Sequence, residues 1–169
     1  MIGGVRRPSL FAAILGFTLG FVGTAVATVS SSSEVRFFGP TNVGGAIQCA
    51  TETAWIRDNA SPPASAQAIT TAYFGQNCLN LNSVPAGYLG AQVHLVRGQA
   101  PGGTLCGSTP WQFNTSSIPI EAASRNWTQS SNCPAGVGYY SSAHGEYWNA
   151  NTSTYKKSNW INSPSLNLP

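Results

Sequence analysis

Charged side chains are scarce in this sequence of 169 residues, which has eight lysines and arginines, five acids and two histidines. Two of the arginines, Arg6 and Arg7, stand near the amino terminus, and the remainder has six basic against five acidic side chains. A protein that follows a phosphate backbone needs a basic stripe, because each phosphate contact is ionic. The sequence therefore predicts that nucleic acid is not a partner.

Motifs for catalysis and for cofactor binding are also missing. No G-x-S-x-G elbow surrounds a serine, which disfavours a Ser-His-Asp hydrolase. The glycine-rich segment 98–103 has neither the lysine nor the following helix of a phosphate loop. Glycosidase chemistry needs two carboxylates across one bond, and the candidates are only Glu52, Asp58, Glu121 and Glu146. We expect no cofactor and no metal, and a protein that is not an enzyme is favoured.

The only long apolar run lies near the amino terminus. Residues 10–26 are apolar, follow the arginine pair, and end at Ala25-Val26-Ala27, which supplies the small residues that a signal peptidase requires. This order is typical of a secretory signal peptide; a retained anchor, which needs about 20 apolar residues, is the alternative. We predict cleavage after Ala27, a secreted, extracellular protein, and no membrane contact once residues 1–27 are removed.

Four cysteines follow one another at separations of 29, 28 and 27 residues. Zinc sites usually contain a close pair such as C-x-x-C, which this spacing does not provide, whereas an even number in an exported chain predicts two disulfides. Three pairings are possible. We favour Cys49 with Cys78 and Cys106 with Cys133, because pairing in chain order closes the shortest loops. Each crosslink would restrict the unfolded chain and so stabilise the folded protein by roughly 3–4 kcal/mol on the entropy model.

Alternation of polar and apolar residues predicts some strands of this chain, and β-branched and aromatic residues predict others. The clearest case is segment 88–113, where Ala91, Val93 and Leu95 alternate with polar residues and a glycine-rich connector leads into a second arm, as in a hairpin. No convincing amphipathic helix is present. Further strands are predicted at residues 35–38, 47–56, 66–74, 118–123, 137–149 and 152–160.

The 142 residues that remain after cleavage are enough for one domain with a single core. Residues 28–34 are Ser-rich and are predicted to form a flexible tail, and residues 35–169 are predicted to form a single β domain. We expect an all-β fold, an antiparallel β-sandwich or a partly closed barrel of about seven or eight short strands, with two disulfides.

Short motifs in the second half of the chain resemble those of one group of exported proteins. Val84-Pro85-Ala86-Gly87-Tyr88-Leu89-Gly90, Tyr139-Tyr140-Ser141 and the ending Ser163-Pro164-Ser165-Leu166-Asn167 are similar to stretches of small secreted proteins of actinobacteria. The resemblance covers about half of the chain. It implies a bacterial, exported protein and brings no active-site residues with it.

Aromatic residues are numerous, with five tryptophans and six tyrosines. Flat rings edged by amides and hydroxyls can bind sugars or another protein, although a role in the core is the simpler explanation for most of them. On the predicted strand 137–149, Tyr140, His144, Glu146 and Trp148 share one face, and we predict a binding site there. Tyr140 and Trp148 are expected to lie outside the core, but a two-sheet sandwich could also turn this face inward.

The sequence therefore predicts a non-enzymatic extracellular binding or interaction module whose partner is a cell-surface glycan or protein. Two alternatives stay open. One is a small extracellular hydrolase that acts on cell wall or another polymer, which would need a cleft with a histidine and a carboxylate within hydrogen-bond reach. The other is a bacteriocin-like toxin.

Overall fold

The computed structural model describes residues 29–31, 35–58 and 63–169, and this part of the chain forms thirteen β-strands and no helix. None of it could therefore cross a membrane as a helix. The signal peptide predicted at residues 1–27 lies outside the described residues. So does most of the proline-containing loop that follows residue 58.

The strands form two antiparallel sheets, each four positions wide. In the first sheet, two long strands occupy the centre and short strands share the edge positions. The central pair is β3 (Ala46–Arg57) and β4 (Ser65–Phe74); β1 (Val29–Ser31) and β2 (Val35–Val43) pair with β3, and β5 (Asn80–Leu81) and β9 (Ile120–Asn126) pair with β4.

The second sheet repeats this arrangement. Its centre is β6 (Leu89–Arg97) and β10 (Gly138–Asn149); β7 (Thr104–Ser108) and β8 (Gln112–Phe113) share the free edge of β6, and β11 (Thr154–Lys157), β12 (Ile161–Asn162) and β13 (Leu166–Asn167) share the free edge of β10. Two sheets of four positions give eight in all. The fold is thus an antiparallel β-sandwich, the first of the two predicted architectures, and it is not a closed barrel.

The core between the sheets combines small residues from one sheet with large residues from the other. The inward face of the first sheet is rich in alanine, and the second sheet fills the space with tyrosine, leucine and valine. The hydroxyls of the two fully buried tyrosines are bonded: Tyr139 donates to the Pro134 carbonyl at 2.6 Å, and Tyr147 donates to the Gln48 side chain. Buried rings of this kind normally find such partners.

Two disulfides join the sheets to their loops. Cys49 on β3 is bonded to Cys78 in the turn before β5, and Cys106 on β7 is bonded to Cys133 in the loop before β10. The predicted pairing in chain order is confirmed. Disulfides of this kind are typical of oxidising, extracellular surroundings.

The predicted tail at residues 28–34 differs from the structure in one respect. Val29–Ser31 forms strand β1 and pairs with Trp55–Arg57 of β3. A Ser-rich composition offers little to bury, but the ladder of an antiparallel pair is made by backbone groups, which every residue except proline supplies.

Candidate binding face on the second sheet

Strand β10 divides its side chains between the core and the opposite side of the second sheet. Tyr139, Ala143 and Tyr147 are fully buried against the first sheet. Successive side chains of a strand alternate, so the predicted site residues Tyr140, His144, Glu146 and Trp148 point away from the first sheet. We call this side of the sheet the outer face.

Eight aromatic rings lie in contact across the outer face, and we call them the ring row. Seven successive centroid distances between 4.3 and 6.5 Å connect them. Only two of the eight belong to the predicted site; the others come from β6, β8, β11 and the loops. In order along the face, the ring row is Tyr88, Trp148, Tyr155, Phe113, Trp111, His144, Trp160 and His94.

The middle of the ring row depends on a glycine. Gly90 pairs with Phe113 on one side and Glu146 on the other. A Cβ atom at position 90 would lie 2.7 Å from Phe113 Cε1 and 3.3 Å from the Cβ of Glu146. The absence of a side chain therefore lets the Phe113 ring lie directly on the sheet, beside Trp111 and Tyr155.

The segment that carries Trp111 and Phe113 is held by the buried side chain of Asn114. Its amide donates to the carbonyl oxygens of Pro85 and Ser116, both at 2.8 Å, and its oxygen accepts the Leu89 N–H at 2.9 Å. Tyr155, the neighbour of Phe113 in the row, is held by its own hydroxyl, which donates to the Gly87 carbonyl at 2.6 Å. These bonds fix several of the rings before any ligand arrives.

Both histidines of the chain lie against Trp160. His94 and His144 are diagonal neighbours on β6 and β10, and their centroids are 4.3 and 4.7 Å from the Trp160 ring. Partial burial lowers the pKa of each histidine, and for His144 a hydrogen bond with the Ser158 backbone offsets part of this effect. Both rings are therefore mainly neutral at pH 7. His94 is part of the ring row, at the end next to Trp160.

Trp160 reaches this position because β11 ends early. The sequence predicted a strand over 152–160, but the pairing stops at Lys157. Ser158 continues the contact in another way: its N–H donates to the Gly145 carbonyl at 2.9 Å, and its hydroxyl oxygen accepts the Gly145 N–H at 2.8 Å. The next two residues turn over the face, which places Trp160 on the histidines.

The charged groups on the outer face neutralise each other. Glu146 is nearly buried beneath the rings and forms an ion pair of 2.5 Å with Lys157. The ammonium group of Lys157 also lies 5.3 Å from the centroid of Trp111, a cation–π contact. Glu146 is therefore occupied as a counter-ion and is not free to serve as a metal ligand or a catalytic acid.

Tyr140 lies on the outer face as predicted, but it is not exposed. Only 4% of the residue is accessible, because the connection between β6 and β7 covers it, and its hydroxyl donates to the Gly102 carbonyl at 2.7 Å. With Val96, Leu105 and His94, it lines an open depression of about 330 Å³ beside Trp160. Its role is to form part of this depression, not to present a free ring.

The carboxylates considered for glycosidase chemistry do not meet. Glu52 points into the core, where Gly145 makes room for it, while Glu146 points to the outer face. Glu121 belongs to the edge strand β9 of the first sheet, and Asp58 follows the end of β3. Within residues 29–31, 35–58 and 63–169, no group of three or more potential metal ligands is present.

The outer face has the properties of a binding surface: partly exposed rings, fixed by hydrogen bonds and almost without net charge. Sequence periodicity found its residues on β10, but not the rings that two-residue strands and loops contribute. Trp111 and Phe113 carried a further signal, since residues two apart in a strand share one face. In comparisons with known proteins, no family model, curated protein or solved structure matches this chain.

Proposed function

We propose that this protein is an exported, non-enzymatic module that binds a cell-surface glycan along the ring row. The observation that carries the proposal is the position of the eight rings, on the side of the second sheet that does not face the core. Trp160 and Tyr155 are 40% and 37% exposed. Clusters of exposed rings on a monomer are characteristic of interaction sites.

A glycan suits this row for two physical reasons. The C–H groups on the face of a sugar ring pack on aromatic rings, and the steps of the row, 4.3 to 6.5 Å, are comparable with the length of one sugar unit. The rings are also held in place by neighbours and hydrogen bonds, so little side-chain entropy is lost on binding.

A protein partner is the second candidate. Tryptophan and tyrosine dominate many protein interfaces, but such interfaces also use unpaired charges to orient the partner. On the outer face, Lys157 and Glu146 are paired with each other. The glycan is therefore favoured over the protein.

The hydrolase alternative has less support than binding. It requires a histidine and a carboxylate that act on one bond. Glu146, the carboxylate on the same face of β10 as His144, is already paired with Lys157. A toxin would also begin by binding a surface, so it is a special case of the same proposal. The two disulfides fit an exported protein, as do the signal-like amino terminus and the resemblance to secreted actinobacterial proteins.

The proposal is tested by cosedimentation with insoluble polysaccharides and with bacterial cell walls. Trp111→Ala and Trp160→Ala should weaken binding about tenfold each, which corresponds to about 1.4 kcal/mol. Trp55→Ala is the matched control, because Trp55 is also partly exposed but belongs to β3 in the first sheet. Failure of the parent to bind any carbohydrate, or equal loss in the Trp55 variant, would reject the proposal.

A further inference from the structure

We infer that the depression beside Trp160 is a subsite for a neutral sugar ring that carries an acetamido group. The inference rests on the proposed function and names the ligand chemistry at one end of the ring row. Its starting point is the position of the depression: it shares His94 and Trp160 with the row, so a chain lying on the rings would reach it directly.

The walls of the depression are mainly apolar. They include Val96, Leu105, Tyr140 and Trp160. Leu105 is 55% exposed, because nothing in the described part of the chain covers it. Exposed leucine gains from an apolar neighbour by about 25 cal/mol for each Å² removed from water. The methyl group of an acetamido substituent is such an apolar neighbour, and the open space of about 330 Å³ leaves room for the sugar ring that carries it.

Two polar side chains line the same depression. The hydroxyl of Ser142 and the ring of His94 form no hydrogen bond with any other residue that the structure describes. A neutral imidazole has one donor and one acceptor, and a hydroxyl can do both. An amide also has one N–H and one C=O, so these two groups match it in hydrogen-bonding capacity.

Charge excludes most other substituents. The described lining consists of His94, Val96, Gly102, Gly103, Leu105, Tyr140, Ser142 and Trp160, which include neither a carboxylate nor a lysine or arginine. A sulfate, a phosphate or a uronic acid would have to give up water without an ionic partner, which is costly. A neutral group with one donor, one acceptor and an apolar end is what remains.

The test compares two soluble oligosaccharides of equal length and linkage, β-1,4-linked N-acetylglucosamine and β-1,4-linked glucose, which differ only in the acetamido group. Titration calorimetry on the parent protein should show binding at least tenfold tighter for the acetylated oligomer. Leu105→Ser and Ser142→Ala should reduce this preference to threefold or less, because the acetylated oligomer should lose more affinity than the glucose oligomer.

Leu81→Ser is the control, because Leu81 is 53% exposed, as Leu105 is, but lies in β5 of the first sheet; it should keep the full preference. If both oligomers bind equally and both depend on Trp111, the subsite inference fails while the proposed function stands. A preference that survives both depression variants also overturns the inference. If no oligomer and no insoluble glycan binds, the proposed function fails with it.

Discussion

The buried carboxyl group of Glu52 is the least expected residue of the core. Burial raises its pKa to about 8, although the hydrogen bond with Thr70 lowers it in part. The Thr70 oxygen is 2.6 Å from Glu52 Oε2 and 2.8 Å from the Gly90 carbonyl oxygen. A hydroxyl has one proton and cannot donate to both. A protonated Glu52 resolves this, because it donates to Thr70, which then donates to Gly90.

Stability should therefore fall as the pH rises. Below about pH 4.5 the Glu52 carboxyl group is neutral in both the folded and the unfolded protein. Between pH 4.5 and about pH 8 this group ionises only in the unfolded protein, which favours unfolding. Glu52→Gln removes this ionisable group, so the variant should be more stable than the parent at pH 8. The gain should be a few kcal/mol, on the order of the free energy that corresponds to the pKa shift of Glu52. At pH 4 the difference should nearly vanish.

Chemical denaturation at pH 4, 6 and 8 measures the free energy of unfolding of the parent and of Glu52→Gln. Glu121→Gln is the control, because partial burial also raises the pKa of Glu121 but the group lies on an edge strand. Its effect should be much smaller. An equal stability of Glu52→Gln and the parent at pH 8 would show that Glu52 is not held neutral.

Trp148 and Tyr147 are neighbours on β10 with opposite surroundings. Trp148 contacts the rings of Tyr88 and Tyr155 on the outer face, whereas Tyr147 is fully buried and stacks on Phe38 at 4.5 Å. Tyr147→Ala should cost about 3–5 kcal/mol and lower the melting temperature by about 10 °C or more. Trp148→Ala leaves no core cavity and should cost about 1 kcal/mol.

Thermal unfolding of the two variants side by side checks this prediction. If Trp148→Ala melted as low as Tyr147→Ala, Trp148 would contribute to the core, and the outer face would lose one of its rings as a contact for a ligand.

At the scale of the strands, alternation and residue type predicted the long elements well and the short ones poorly. Segments 47–56, 66–74 and 137–149 are strands close to their predicted limits. In 137–149, the division of side chains between two faces was also correct. These strands have enough residues for a period of two to be visible.

The short edge strands β8, β12 and β13 have two residues each, and no period can be read from two residues. Their positions depend on the register of pairing with a long partner strand, which is β6 for β8 and β10 for β12 and β13. Of the six rings that β10 does not carry, three lie in loops, where no period marks a face: Tyr88, Trp111 and Trp160. The other three, His94, Phe113 and Tyr155, lie on β6, β8 and β11, and strand pairing brings them to the outer face. The sequence shows which residues are aromatic, but it does not show which of them become neighbours in the folded protein.

Gly90→Ala tests the local packing that supports the ring row. A Cβ atom at this position requires the Phe113 ring to move, because the separation would be 2.7 Å. We expect a folded protein with a changed near-ultraviolet circular dichroism spectrum and weaker glycan binding. Gly138→Ala is the control on β10, since its Cβ would meet its nearest neighbours at 3.7 Å, an ordinary contact. An unchanged spectrum for Gly90→Ala would contradict the proposed packing.

At the scale of the whole molecule, one of the two disulfides lies apart from the candidate binding face. The Cys49–Cys78 disulfide belongs to the first sheet and its turn, whereas the ring row and the depression belong to the second sheet and its loops. The described core lies between them and connects both. Removing this disulfide should therefore change stability without changing the surface that binds.

The double variant Cys49→Ala, Cys78→Ala should lose about 3 kcal/mol of stability, because the unfolded chain gains the freedom that the crosslink with a separation of 29 residues removed. Its melting temperature should fall by roughly 10 °C, while glycan binding at 25 °C should stay within twofold of the parent. The Trp111→Ala variant should show the opposite pattern, with weaker binding and a similar melting temperature. Loss of binding in the folded cysteine variant would mean that the first sheet controls the outer face through the core.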